Sequence, residues 1–230
     1  MNRHAIRLAL IAVLAFGSTG CDDNDPITNP GGNQAPLITI SANVTFGIAQ
    51  LTTFALGATV LDPNADPVTV TWSFSDGTVV NGNNVWRQFP EPGSYEVFAT
   101  ATDHLGLTGT STTATLVVGT ASGEWDGEID LAPCGGGTKP IAASLSQSGG
   151  LLTGTVRLPE GLCSSSGGTA TIGTGDPGQM FASGAMRLHI VVPGAIDARL
   201  AGQMGADTNT FTGTLEDADA AGIAFTLNRQ

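Results

Sequence analysis

The sequence has few basic residues: eight of its 230 residues are lysine or arginine, against 20 aspartates and glutamates. Arg3 and Arg7 account for two of the eight, so a chain that begins after residue 20 has six basic residues and a formal charge of −14. Such a chain repels the phosphates of nucleic acids and anionic lipid headgroups. We therefore expect no nucleic-acid partner.

The sequence also lacks the common catalytic motifs. It contains no G-x-S-x-G, H-E-x-x-H or C-x-x-C, and nothing else pairs a nucleophile with a base. After residue 20 only two histidines remain: His104 at a predicted turn and His189 on the predicted exposed face of a strand. A G-x-G-x-x-G match at 173–178 includes Asp176 and Pro177, and no helix is predicted after it, so we interpret it as a loop. We expect no enzymatic activity and no cofactor.

Long hydrophobic runs are absent too. The run LALIAVLAF, Leu8 to Phe16, is about half of the ~20 apolar residues needed to span a bilayer, so it predicts an export signal. GSTG and then Cys21 follow, and this order resembles a bacterial lipoprotein signal. The resemblance implies a signal peptide at 1–20, a lipid on Cys21 and a membrane-anchored place in the bacterial cell envelope. Ordinary signal-peptidase cleavage is the alternative, because Ser18 stands where that family usually has leucine.

Only three cysteines are present. If Cys21 carries the lipid, Cys134 and Cys163 remain as one pair in an oxidising compartment, which favours a disulfide. Closing that loop is worth about 3–4 kcal/mol on the loop-entropy model. Metal binding by the two cysteines is the weaker interpretation, because no histidine lies beside them.

Residues 21–36 predict a flexible tether. The stretch DDNDPITNPGGNQAP is rich in Asp, Asn, Pro and Gly and cannot bury enough apolar surface to order itself. Fully extended, it reaches up to ~50 Å at ~3.3 Å per residue.

Residues 37–118 alternate between apolar and polar positions and are rich in threonine, valine and aromatics, which predicts half-buried strands. No stretch has the 3.6-residue period of a capped helix, so an antiparallel sandwich is expected. The predicted strands are 37–40, 52–61, 68–75, 84–89, 94–102 and 110–118.

The same region resembles a PKD (polycystic kidney disease) repeat, an immunoglobulin-like β-sandwich. The resemblance rests on DPNADPVTVTWSFSDGT, EPGSYEVFATATDHLG and a final TATLVV. It implies a core tryptophan at Trp72 and a tyrosine corner at Tyr95, the only tyrosine in the chain. The departures are Ser73 and Ser75, where the family often has Asp and Gly, and Ala65, where Gly is usual.

Residues 121–230 predict a second all-β domain. Glycine makes up 20 of these 110 residues, and short alternating runs recur between turns, as in LTGTV and FTGTL. About eight antiparallel strands joined by short turns can close into a barrel, and the pattern resembles small lipocalin-like or avidin-like barrels. We predict that these side chains point inward and fill the barrel: Leu145, Leu152, Val156, Leu188, Ile190, Leu200, Phe211, Leu215, Phe225 and Leu227.

Two candidate sites stand out. Asp62, Asn64 and Asp66 imitate the first half of a calcium loop, but no turn glycine or downstream glutamate follows, so turn-shaping is favoured over a metal site. Trp86 and Phe89 are candidates for a binding surface; being three apart, they point to opposite faces of a regular strand, so one of them is expected to be exposed.

The expected function is that of a non-enzymatic, membrane-tethered envelope lipoprotein acting as a binding, adhesion or structural module. Its partners would be the membrane, through the lipid on Cys21, and an envelope protein or glycan. The alternative is a carrier that holds a small apolar ligand inside the barrel of residues 121–230.

Overall fold

The computed structural model describes residues 32–163, 167–173, 176–194, 196–217 and 220–230. The predicted signal peptide, Cys21 and most of the predicted tether lie outside these residues. Residues 34–230 form one compact unit, and it is all-β as expected. Within the described part of the chain, no helix has the length and apolar character that crossing a bilayer requires.

Two sheets form the first half of this unit. The strands are β1 (Leu37–Ala42), β2 (Phe46–Ile48), β3 (Phe54–Leu61), β4 (Val68–Phe74), β5 (Val79–Asn81), β6 (Asn84–Arg87), β7 (Gly93–Asp103), β8 (Thr108–Thr110) and β9 (Ala114–Gly119). One sheet has the order β1-β3-β6; the other has the order β2-β9-β7-β4-β5, and β8 pairs with β7. All the predicted strands are present, although 110–118 divides into β8 and β9, and the short strands β2 and β5 were not predicted.

The sandwich core forms around the predicted aromatic residues. Trp72 is fully buried between the sheets, and its indole N–H donates to the carbonyl of Gly82 at 2.8 Å. The Tyr95 hydroxyl donates to the carbonyl of Glu91 at 2.9 Å, four residues back along the chain. Both contacts satisfy a polar group on an otherwise apolar ring, as the tyrosine-corner and core-tryptophan predictions require.

The second half closes into an eight-stranded antiparallel barrel. Its strands are β10 (Gly123–Asp130), β11 (Thr138–Ser148), β12 (Leu151–Leu158), β13 (Gly168–Ile172), β14 (Gly178–Met180), β15 (Ala185–Val192), β16 (Ile196–Met204), β17 (Thr210–Asp217) and β18 (Ala220–Arg229). β10 to β12 pair in sequence, β14 to β18 pair in sequence, and β18 pairs back to β10; β13 and β14 share one position because each pairs with a different part of β12. Closure gives β10, β11, β12 and β15 to β18 a hydrogen-bonded partner on each side.

Side chains fill the barrel. All ten predicted inward residues are buried, with at most 5% of their surface exposed. A cavity large enough for a ligand would leave accessible surface on the residues that line it, so the burial favours a packed core over an apolar carrier.

Two inward glycines allow neighbouring strands to approach closely. A Cβ on Gly154 would lie 2.0 Å from the carbonyl oxygen of Ser144, and one on Gly213 would lie 2.0 Å from that of Ala201. Real Cβ atoms do not approach so near, so only glycine fits at either position. These glycines therefore allow close contact between adjacent strands, while the burial of the ten inward residues indicates that side chains fill the interior.

A disulfide joins two loops at the end of the barrel away from the sandwich. Cys134, in the 3₁₀ turn Ala132–Cys134, is bonded to Cys163 in the loop after β12, with Cα atoms 5.1 Å apart. The fully buried Leu131 and Leu162 lie in the same two loops and belong to the barrel core. The disulfide thus holds the loops that cover this end.

The sandwich packs directly on the other end of the barrel. Phe46 and Ile48 of β2 contact the barrel core, although they precede residue 119. The Thr52 hydroxyl accepts a hydrogen bond from the buried amide of Ile48 at 2.7 Å and donates to the carbonyl of Ala182 at 2.6 Å. The side-chain amide of Gln147 on β11 donates to the carbonyl of Ala49 at 3.2 Å. The predicted boundary near residue 120 separates two cores, but these contacts join them.

Candidate binding sites

The outer face of the β1-β3-β6 sheet carries the exposed tryptophan. Trp86 is 70% exposed, whereas Phe89 is only 1% exposed. Phe89 stacks on Tyr95 with ring centroids 4.0 Å apart and meets Phe54 edge-on at 5.5 Å. The prediction that the two candidates point to opposite faces is correct, and the proposal of Phe89 as a surface contact is wrong because its ring completes the core.

The surroundings of Trp86 are flat and uncharged. Trp86 lies opposite Ala55, and Asn84 on the same strand lies opposite Gly57. A Cβ on Gly57 would sit 3.3 Å from the Asn84 side-chain oxygen and 3.4 Å from the Ser41 hydroxyl, so these two side chains lean over the glycine. We call this surface the Trp86 face, and its members are Ser41, Asn43, Ala55, Gly57, Asn84 and Trp86.

None of the outward-facing residues of the β1-β3-β6 sheet is charged. From β1, β3 and β6 the outward residues are Leu37, Thr39, Ser41, Ala55, Gly57, Thr59, Leu61, Asn84 and Trp86. In a chain with 20 acidic residues, this surface presents hydroxyl, amide and indole groups and no charged side chain of its own.

The Asp62 turn uses its carboxylate locally. Asp62 Oδ1 accepts hydrogen bonds from the backbone amides of Asn64 and Asp66 at 2.8 and 3.1 Å, the local bonding by which aspartate shapes turns. Asp66 lies 3.5 Å from the ring of the turn residue His104. Within the described ranges, no group of three or more His, Cys, Asp or Glu is placed to hold a metal ion. That Asp62, Asn64 and Asp66 shape the turn rather than bind calcium stays a prediction, to be tested by chelation.

His189 lies on the outer face of the barrel between two carboxylates. Its Nε2 is 2.8 Å from Asp197 Oδ1, and its Nδ1 is 2.9 Å from Asp176 Oδ2. An ionised carboxylate only accepts hydrogen bonds, so engaging both requires an N–H on each ring nitrogen and hence the imidazolium form. Hydrogen bonds to Asp197 and then Asp176 raise the pKa of His189 above its ordinary value of 6.5.

A groove of about 400 Å³ runs across the outer faces of β14 to β17 beside this histidine. We call it the β15–β16 groove. Its charged and amide walls are Asp176, Gln179, Arg187, His189, Arg199 and Glu216, and Ala201 lies on its floor. The sequence pattern places Arg187 and His189 on one face, but it does not indicate that Arg199 and Glu216 join them. That depends on the register between β15, β16 and β17.

Comparison with known proteins finds matches to one part of the chain. Residues 33–118 match the family model of the PKD domain. A curated microbial collagenase from Vibrio alginolyticus is 35% identical over 80 residues, which is 35% of this chain and 10% of that protein. The chain therefore corresponds to about a tenth of the collagenase's length.

A solved structure also resembles the chain. It belongs to a study of the promiscuous specificity of carbohydrate-binding modules from the β-sandwich superfamily, and it is 15% identical over 86% of this chain and 93% of that chain. The TM-score is 0.39, and a score of this size does not establish a shared fold.

Proposed function

We propose that this chain, whose residues 33–118 match the family model of the PKD domain, is a non-enzymatic binding module of the bacterial cell envelope. In this proposal the Trp86 face is the contact surface and a neutral glycan is the ligand. The observation that carries the proposal is the 70% exposure of Trp86 on an uncharged sheet face.

The exposed indole of Trp86 does not contribute the free energy that its burial would provide, and burial against a ligand would provide it. Burying a large aromatic side chain is worth about 1.5–3 kcal/mol, and Trp86 forgoes most of that gain in the free protein. The small side chain of Ala55 lies directly opposite Trp86 and leaves the indole accessible to a flat ligand. The apolar C–H face of a sugar ring can pack on the indole, while the Asn84 amide and Ser41 hydroxyl lie where ligand hydroxyls can reach them.

The test compares Trp86→Ala with Val79→Ala. Val79 is also a large exposed side chain, at 61%, but it lies on β5 in the other sheet. We expect Trp86→Ala to weaken binding to a glycan array and to insoluble neutral polysaccharides by about tenfold or more, as removing a stacking aromatic does. Val79→Ala should bind like the parent protein, and both variants should keep the parent melting temperature.

Two other outcomes of this test would change the proposal. Equal glycan binding by Trp86→Ala and Val79→Ala would show that the Trp86 face is not the contact surface. Capture of envelope proteins that depends on Trp86, without glycan binding, would replace the glycan by a protein partner.

The proposal includes a lipid anchor on Cys21. Export signal, cysteine and polar tether follow one another in the sequence, which would leave residues 34–230 free to reach a ligand away from the membrane. We expect Cys21→Ala to release the protein from the membrane fraction of a cell extract. Unchanged membrane association of Cys21→Ala would refute the anchor while leaving the Trp86 face to be judged by its own test.

A further inference from the structure

We propose that the β15–β16 groove is a second binding site, specific for a small hydroxylated carboxylate such as a sugar acid. The proposal is independent of the Trp86 face, because the groove lies on the barrel and has the opposite character: it is charged.

Three cationic side chains meet in this groove. His189 pairs directly with Arg199 across β15 and β16, and Arg187 lies two residues from His189 on the same face of β15. Directly opposed side chains in a sheet have Cβ atoms about 4.5–5.5 Å apart, and diagonal neighbours about 7–8 Å. Arg187 pairs with Ala201, whose methyl group leaves space above the floor between the two guanidinium groups.

Both arginines are available to a ligand. Neither Arg187 nor Arg199 has a carboxylate oxygen within 4.0 Å among the described residues, and the contact recorded for Arg187 is with the Phe181 ring at 5.5 Å. A guanidinium presents a planar fork of N–H donors that matches a carboxylate. These two forks can therefore bind one ligand carboxylate, whereas both N–H groups of His189 are already bound to Asp176 and Asp197.

The acidic residues lie around these two arginines. Asp176 and Asp197 are both engaged by His189, and Glu216 lies opposite Arg199 on β17. Carboxylate oxygens at the rim accept hydrogen bonds from ligand hydroxyls. They also repel a dianion more strongly than a monoanion, which favours a carboxylate over phosphate. A volume of about 400 Å³ is within the usual range of ~300–1,000 Å³ for small-molecule sites.

The net negative charge of the chain does not prevent anion binding here. One row of acids, Glu124, Asp126, Glu128 and Asp130, lies along β10, and β10 is four positions from β15 in the eight-stranded ring. The packed barrel core separates the two walls, and salt at physiological strength screens charges beyond about 8 Å. The local arrangement in the groove therefore decides which ligand binds.

The test is calorimetric titration of the protein with galacturonate, and with galactose as the ligand that lacks the carboxylate. We expect galacturonate to bind and galactose to bind at least about tenfold more weakly, the difference that one charge-assisted contact makes. Arg199→Gln and Arg187→Gln should each weaken galacturonate binding by a similar factor. Arg157→Gln is the matched control, since Arg157 is an exposed outer-face arginine on β12, outside the groove.

The inference is overturned by any of three results. These are equal binding of galactose and galacturonate, equal losses in Arg157→Gln and Arg199→Gln, and no heat of binding with galacturonate. Tighter binding of inorganic phosphate than of galacturonate would also refute the carboxylate specificity. Loss of galacturonate binding in Trp86→Ala would place the ligand on the other surface.

Discussion

The hydroxyl of Thr52 provides a sharp test of how the sandwich joins the barrel. It accepts from the Ile48 amide and donates to the Ala182 carbonyl, so one atom connects β2 to the loop between β14 and β15. Thr52→Val keeps the shape of the side chain and removes both hydrogen bonds. Thr52→Ser keeps the hydroxyl and removes only the methyl group.

The expected magnitudes follow from burial. The Ile48 amide is buried and would lose its acceptor in Thr52→Val, which costs about 1–3 kcal/mol. The bond to Ala182 is partly exposed and worth about 0.5–1.5 kcal/mol. Thr52→Val should therefore lower the free energy of unfolding by about 1.5–4.5 kcal/mol. Thr52→Ser should lower it by about 0.8 kcal/mol, the value of one buried methyl group.

Equilibrium denaturation in urea, followed by far-UV circular dichroism, measures both variants. The midpoint should fall much further for Thr52→Val than for Thr52→Ser, with the same slope against denaturant. If Thr52→Val proves as stable as Thr52→Ser, the hydroxyl does not join the two halves in the way described.

Four further predictions concern the barrel, its disulfide, its histidine and the Asp62 turn. Phe225→Ala should lower the free energy of unfolding by about 3–5 kcal/mol, because its ring fills a packed core; a loss below about 1 kcal/mol would indicate an unfilled interior. Non-reducing intact-mass analysis should find no free thiol at Cys134 or Cys163, and replacing both by serine should cost about 3–4 kcal/mol; alkylation of the native protein would contradict this. The raised pKa of His189 means that its stabilisation is full below the unfolded-state pKa of about 6.5 and is lost as pH rises through the folded-state pKa. The difference in melting temperature between the parent and His189→Gln should thus shrink as pH rises, and a constant difference would argue against the imidazolium. Calcium chelation should leave the melting temperature unchanged, since Asp62 Oδ1 already binds two backbone amides; a large calcium-specific increase would reverse that interpretation.

Local patterns predicted the sandwich well because they report which face of a strand is buried. Val70, Trp72 and Phe74 alternate in the sequence and all three are buried in one core. The short strand β2 was missed because three residues show no period. Its parallel pairing with β9, and the contact of Ile48 with the barrel core, depend on residues far along the chain.

For the barrel too, the sequence predicted some features and only the tertiary structure decided others. Alternation alone identified the ten inward residues, because a side chain in a strand points to the face opposite that of its neighbour. It did not establish whether the interior was filled, since the glycines at 154 and 213 were equally consistent with a cavity. The burial of all ten inward residues in the folded barrel favours a filled interior.

For the candidate sites, the sequence by itself determined which functional groups are available, and the tertiary structure decided which of these side chains lie close together. It indicated one exposed aromatic of two, and packing against Tyr95 decided that Phe89 is buried and Trp86 exposed. It placed Arg187 and His189 on one face, but strand register brought Arg199 opposite His189. The physical reason is that periodicity acts within one strand, whereas a binding site is formed by hydrogen-bonded neighbours whose register only the folded sheet defines.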